Sequence, residues 1–167
     1  TRSMASGEIR LEGAKAWLVG ERGRGFQQMT DMINNSRLSN GMRAAGLMRR
    51  AMAEAEYVVA NRRAFNRRLV DMPLMQRQML KMLVPTEQGR TAQALERSDL
   101  GDNHAKSLVR ILTPLIKFRA CRDARKVTGD AMEVRGGCGY IEEFVDPRLL
   151  RDAHLGSSWE GTSNIVA

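Results

Sequence analysis

The chain has 167 residues, 43% of them hydrophobic, which is enough for one domain with a real core. Its 27 basic residues outnumber 19 acidic ones, and the net charge of +8 suits nucleic acid, anionic lipid or a phosphate-rich cofactor or substrate. Aromatics at 5% argue against a single-strand stacking surface, no apolar run approaches the roughly 20 residues of a membrane span, and no signal-peptide pattern is present.

Cys121 and Cys138 make neither a disulfide framework nor a paired metal motif, so a reducing, cytoplasmic setting is the expectation. His104 and His154 lack ligand spacing, and no metal site is expected. The chain opens on Thr1 and stops inside the apolar run Ile165-Val166-Ala167, which suggests a piece of a longer polypeptide.

Residues 8–20 read as strand, because Ile9, Leu11, Ala14, Ala16 and Leu18-Val19 roughly alternate around Gly13. The glycines of Gly20-Glu21-Arg22-Gly23-Arg24-Gly25 could cradle a phosphate at a helix N-terminus, but a plain strand-to-helix turn is the stronger reading. From Phe26 the period becomes helical through Met29, Met32, Met48, Met52 and Val58. This predicts one long helix ending near Phe65, or two with a kink near Gly41, and the Met stripe reads as core filler. Arg62, Arg63, Arg67 and Arg68 cluster at its end, where they suit either the helix dipole or a pyrophosphate.

Pro73 opens a second helix, which Pro85 should kink or restart. Asp99-Leu100-Gly101-Asp102-Asn103 reads as a loop with Asn103 capping the next element. A third helix then runs from about Leu108 through Val134, with a bend at Pro114, and stops at Gly136-Gly137-Cys138-Gly139-Tyr140. Long helices with short links predict an all-α fold, an antiparallel four-helix-type bundle with a short β remnant at the N-terminus.

Ser158-Trp159-Glu160-Gly161-Thr162-Ser163-Asn164-Ile165 holds the residues most suited to chemistry. A carboxylate lies between an apolar wall and a glycine that admits close approach, with hydroxyl and amide groups beyond it. A carboxylate in a half-dry setting is the kind of general base a weak carbon acid requires. On local composition alone, an exposed Glu in a surface turn is the stronger reading.

The order of motifs resembles the C-terminal part of the acyl-CoA dehydrogenase family over essentially the whole chain. Gly13-Ala14-Lys15 through Arg24-Gly25-Phe26 looks like the exit from the family's middle β-domain, and Arg37 like the arginine of its first long helix. Arg62-Arg63-Ala64-Phe65 resembles its Arg-x-x-Phe element, and Glu133-Val134-Arg135-Gly136-Gly137-Cys138-Gly139-Tyr140 its Gly-Gly-x-Gly-Tyr turn. Arg148-Leu149-Leu150-Arg151-Asp152-Ala153 and Trp159-Glu160-Gly161-Thr162 complete the series. On this reading, residues 1–23 are the tail of a preceding β-domain and 24–167 the helical bundle.

The resemblance implies an FAD enzyme that converts an acyl-CoA thioester to the trans-2-enoyl thioester, with Glu160 as catalytic base. Ser36 stands where some branches carry an alternative Glu, so Glu160 has no visible rival. Arg62, Phe65 and Glu133 would lie at the pyrophosphate and adenosine end of FAD, and the Gly136-Gly137 turn would approach the same dinucleotide from a neighbouring subunit. Thr162 and Asn164 would hold FAD near the base, while Arg37, Trp159 and Gly161 would contact the acyl-CoA. It further implies a homo-oligomer, usually a tetramer, with an electron-transfer flavoprotein as candidate acceptor, and predicts that this piece alone is inactive.

Several positions depart from the common pattern. Ala64 and Asn66 replace a Thr and a Gly, Glu133 replaces a Gln, Cys138 an Asn and Trp159 a Tyr. A carboxylate at 133 is unfavourable beside a pyrophosphate. With the Thr113-Pro114 bend, these lean toward the branch of flavoproteins of the adaptive response to DNA alkylation. The alternative is therefore a DNA-binding flavoprotein with little dehydrogenase activity.

Overall fold

The computed structural model describes residues 7–96 and 103–166. α1 (Gly25–Asn61) leads into a two-stranded hairpin, β1 (Arg63–Ala64) and β2 (Arg67–Arg68). α2 (Pro73–Glu96), α3 (Asn103–Arg135), α4 (Asp146–Ser158) and a single turn, α5 (Ser163–Val166), follow. α1 packs most extensively on α3, with α2 and α4 laid against that pair. The architecture is the expected all-α bundle.

α1 buries small and medium apolar residues in phase over about five turns of its C-terminal half. Gly41, Ala44, Ala45, Met48, Ala51, Met52, Ala55, Val58 and Val59 form its buried stripe. Gly41 does not break it. A Cβ there would come within 2.9 Å of Ile116 Cγ2, so this glycine lets α1 and α3 approach beside Lys117. Facing that stripe, α3 buries Ala120, Cys121, Ala124, Val127, Ala131 and Val134. Gly89 of α2 plays a similar part, since a Cβ there would meet Met48 Cε at 2.8 Å.

Several expectations need correction. No strand forms over 8–20: Ile9, Leu11, Trp17, Leu18 and Val19 lie exposed and unpaired, because alternation specifies a face and not a partner strand. The β structure lies instead just past α1, in the hairpin pairing Ala64 with Arg67 and Arg63 with Arg68. α1 therefore ends at Asn61, four residues short of Phe65. α2 runs unbroken through Pro85, and α3 contains Pro114. The Met stripe is only partly core: Met48, Met52 and Met82 are buried, whereas Met29 and Met32 are exposed. α3 starts on Asn103 itself, and the expected loop at Asp99–Asp102 lies outside the described residues.

Arg135 ties three helices together at the bundle end nearest the hairpin. Its guanidinium stands 2.6 Å from Glu54 Oε2 of α1 and 2.6 Å from Asp146 Oδ2, which is buried at the start of α4. The Arg135 Nε–H is poorly directed toward Asp146, so that contact is Coulombic more than a hydrogen bond. Phe144 covers the guanidinium with its ring, 5.1 Å from centroid to Cζ.

Candidate active site and dinucleotide surface

α4 ends at Ser158, and Trp159 closes it by donating its backbone N–H to Leu155 O at 3.1 Å. The next two residues turn back through the left-handed region, Glu160 at φ 55° and Gly161 at φ 97°. A glycine is at ease there, but a glutamate costs about 1–2 kcal/mol. Such strain persists only where surrounding contacts enforce it.

Those contacts come from α1 and α3. Ser36 Oγ donates to Glu160 Oε1 at 2.9 Å, and Arg37 Nε donates to the Glu160 carbonyl at 3.1 Å. Lys117 Nζ donates to the Gly161 carbonyl. Glu160 is partly buried, its carboxylate held by Ser36 of α1 and within electrostatic reach of Lys117 of α3. Arg43 lies 5.7 Å from the Trp159 ring centroid and 3.8 Å from Asp152 Oδ1, so one cation holds the indole and is itself anchored to α4. Thr162 and Asn164 follow at the exposed rim.

The charge balance of this pocket is set by burial. Lys117 has its pKa lowered by loss of water; the Cys121 thiol and Glu160 oppose the shift, while Arg37 adds to it. Burial pushes the Cys121 thiol up, against the pull of Lys117, Arg43 and Arg125, and its Sγ faces the Asn40 carbonyl at 3.7 Å.

A second cluster lies at the far end of α1. Arg62 Nη1 donates to the Arg135 carbonyl at 2.6 Å and packs over Gly136, where a Cβ would stand 3.2 Å from that nitrogen. Gly136 takes φ 76°, and Gly137 faces open space. The hairpin tip places Phe65 and Asn66 at φ 50° and 61°, the two positive angles of a type I′ turn. The Phe65 ring is 93% exposed. Glu133 is exposed on the last turn of α3.

The structure thus brings Glu160 together with Arg37, Trp159 and Gly161, and separately brings Arg62 together with Gly136. Arg62 and the glycine turn touch within a single chain. From Arg37 to Arg62 is 25 residues of continuous helix, about 37 Å at 1.5 Å per residue.

Lys117, Arg43 and Asn40 were not singled out from the sequence. Lys117 had a signal, because it stands in phase with the core stripe of Thr113, Ala120, Cys121 and Ala124, where a cation is out of place. Ser36 was noted only as the absence of a rival base, not as a partner of Glu160.

The model for the acyl-CoA dehydrogenase C-terminal domain matches residues 23–167. The chain belongs to the acyl-CoA dehydrogenase family. AidB of Escherichia coli (strain K12) is 34% identical over 99% of this chain and 31% of its own length. Acyl-CoA dehydrogenase family member 11 of Caenorhabditis elegans is 31% identical over 100% of this chain and 28% of its own. The crystal structure of C. elegans ACDH-11 in complex with C11-CoA superposes with a TM-score of 0.77 at 30% identity, covering 89% of this chain and 26% of that one. Butyryl-CoA dehydrogenase from Megasphaera elsdenii gives a TM-score of 0.79 at 25% identity, covering 87% and 37%. The chain therefore spans less than a third of the length of the first two relatives. Among the described residues no helix is long and apolar enough to cross a membrane.

Proposed function

We infer that this chain is the C-terminal helical domain of an FAD-dependent enzyme that dehydrogenates an acyl-CoA thioester between its α and β carbons. The observation that carries this reading is the clamped left-handed turn at Glu160. Ser36 holds Oε1, and Oε2 is the oxygen that takes the α proton of the thioester. Arg37 fixes the Glu160 backbone, and Trp159, held by Arg43, walls the acyl chain.

The residues present fit a dinucleotide. Arg62 and the open backbone at Gly137 offer a cation and close approach to a phosphate, Phe65 offers a free ring face, and Thr162 and Asn164 supply polar groups beside the base. Glu133 is the unfavourable member of that set. When bound, the flavin supplies the hydride acceptor that no side chain can provide.

About 37 Å of helix separates Glu160's neighbour Arg37 from Arg62, more than one dinucleotide can bridge. One protomer's Arg62, Phe65 and Gly136 surface therefore serves the flavin whose reaction uses a partner's Glu160. This makes the working enzyme a homo-oligomer. An electron-transfer flavoprotein is the acceptor class this chemistry calls for.

The test is an absorbance titration of the full-length flavoprotein with acyl-CoAs of increasing chain length under anaerobic conditions. Bleaching of the flavin band by at least one of them is expected, and no bleaching by any would overturn the dehydrogenase reading.

A second reading, a DNA-binding flavoprotein with little dehydrogenase activity, is supported by the +8 charge, by the exposed Arg62, Arg63, Arg67 and Arg68, and by the likeness to AidB. It expects duplex affinity that falls steeply with salt. Absence of binding at low salt would remove it.

A further inference from the structure

The proton transfer assigned to Glu160 makes no use of Lys117, although Lys117 is 1% exposed and stands among Thr113, Ala120, Cys121 and Ala124 on the core stripe of α3. Long cationic side chains ordinarily extend their stems toward water. This one instead turns its ammonium inward to the Gly161 carbonyl. The acceptor belongs to the second of two consecutive left-handed residues, and Arg37 holds the carbonyl of the first. A cation from α3 and a cation from α1 therefore grip adjacent carbonyls of one strained turn. Gly41 is what allows it, because the missing Cβ brings α1 against Ile116 and the Lys117 backbone, with Lys117 N 3.7 Å from the Cβ position. Burial makes this lysine give up its proton more readily than usual, partly offset by the Cys121 thiol and by Glu160 and reinforced by Arg37.

We propose that Lys117 is a positioning residue for Glu160: by holding the Gly161 carbonyl it fixes the left-handed turn that sets the carboxylate against Ser36 of α1. This rests on the assignment of Glu160 as the base. A lysine serving only to fill the core would affect stability and leave both the aim of Glu160 and the neighbouring Trp159 untouched.

The test uses the full-length flavoprotein and two variants, Lys117→Met, which keeps most of the stem and loses the donor, and Lys117→Gln, which keeps an amide donor. At saturating acyl-CoA, and normalised to bound FAD, the flavin bleaching rate should fall by about 10-fold to 100-fold in Lys117→Met. Lys117→Gln should recover part of that loss. Trp159 emission is a readout independent of turnover, taken as the difference between each protein and its Trp159→Phe form. It should move to longer wavelength in Lys117→Met as the turn loosens.

A bleaching rate and Trp159 emission both unchanged in Lys117→Met would overturn the proposal. So would failure of both variants to fold, which would make Lys117 a residue of core stability alone. Glu160→Gln separates this from the underlying reading. If Glu160→Gln still bleaches, the base assignment is lost, and the Trp159 shift alone then decides whether Lys117 sets the turn.

Discussion

Ser36 Oγ and Glu160 Oε1 lie 2.9 Å apart, joined by a hydrogen bond across 124 residues of chain. The hydroxyl holds one carboxylate oxygen, but the backbone of Glu160 and Gly161 is held separately by Arg37 and Lys117. Removing the hydroxyl should therefore loosen the carboxylate without releasing the turn. Ser36→Ala is expected to slow flavin bleaching by less than tenfold, about 1.4 kcal/mol or less in the barrier, in anaerobic stopped-flow measurements. A loss as deep as that of the base itself would show that the side-chain contact, not the backbone clamp, sets the geometry.

Glu160 stands at a backbone angle that favours glycine. Two variants without the carboxylate should differ for that reason alone. Glu160→Gly is expected to be more stable than Glu160→Ala by about 1 kcal/mol, the reverse of the order in a helix interior. Urea unfolding midpoints of the two decide it, and equal midpoints would mean that the angle stores no strain.

The glycines of the turn after α3 differ in what surrounds them. A Cβ at Gly139 would overlap the Met132 carbonyl oxygen, whereas one at Gly137 meets nothing within 4 Å. Gly139→Ala should cost about 2–4 kcal/mol, since backbone atoms must move. Gly137→Ala should leave stability within about 0.5 kcal/mol yet, if the proposed dinucleotide contact holds, reduce FAD retention by filling the open space there. Thermal unfolding and the flavin-to-protein absorbance ratio measure the two effects separately.

Lys117 and Cys121 predict opposite pH dependences. Folded Lys117 holds its proton less firmly than the unfolded chain, so stability rises with pH up to its ordinary value of 10.5. Folded Cys121 holds its proton more firmly, so stability falls as pH climbs above 9.0 toward the raised value. Lys117→Met should leave a steeper loss of stability between pH 9.0 and 10.5, and Cys121→Ala a shallower one. Urea midpoints across that window test both signs.

Much of this arrangement was legible in the residues. The helices follow from apolar spacing, and the Gly-Gly-Cys-Gly-Tyr stop from glycine chemistry, because both signals are local. Gly41 was not legible, since its reason is a side chain of another helix, Ile116. The hairpin after α1 escaped because Phe65-Asn66 lacks the Asn-Gly signature of a type I′ turn and reaches those angles under strain. The strand expected over 8–20 failed for want of a pairing partner. In the candidate site, Glu160 stood out by its neighbours in sequence. The residues that hold its carboxylate and the next carbonyl, Ser36 and Lys117, lie 124 and about 43 positions away and are brought to it by the packing of α1 on α3.

The central claim is that Glu160 removes the α proton, and the Glu160→Gln variant of the full-length flavoprotein tests it most directly. The amide keeps the shape of the side chain but cannot accept the proton. FAD should remain bound at the same ratio, while the rate of flavin bleaching by an acyl-CoA that reduces the unaltered protein drops by about 10²-fold to 10⁴-fold. Bleaching at an undiminished rate would contradict the account.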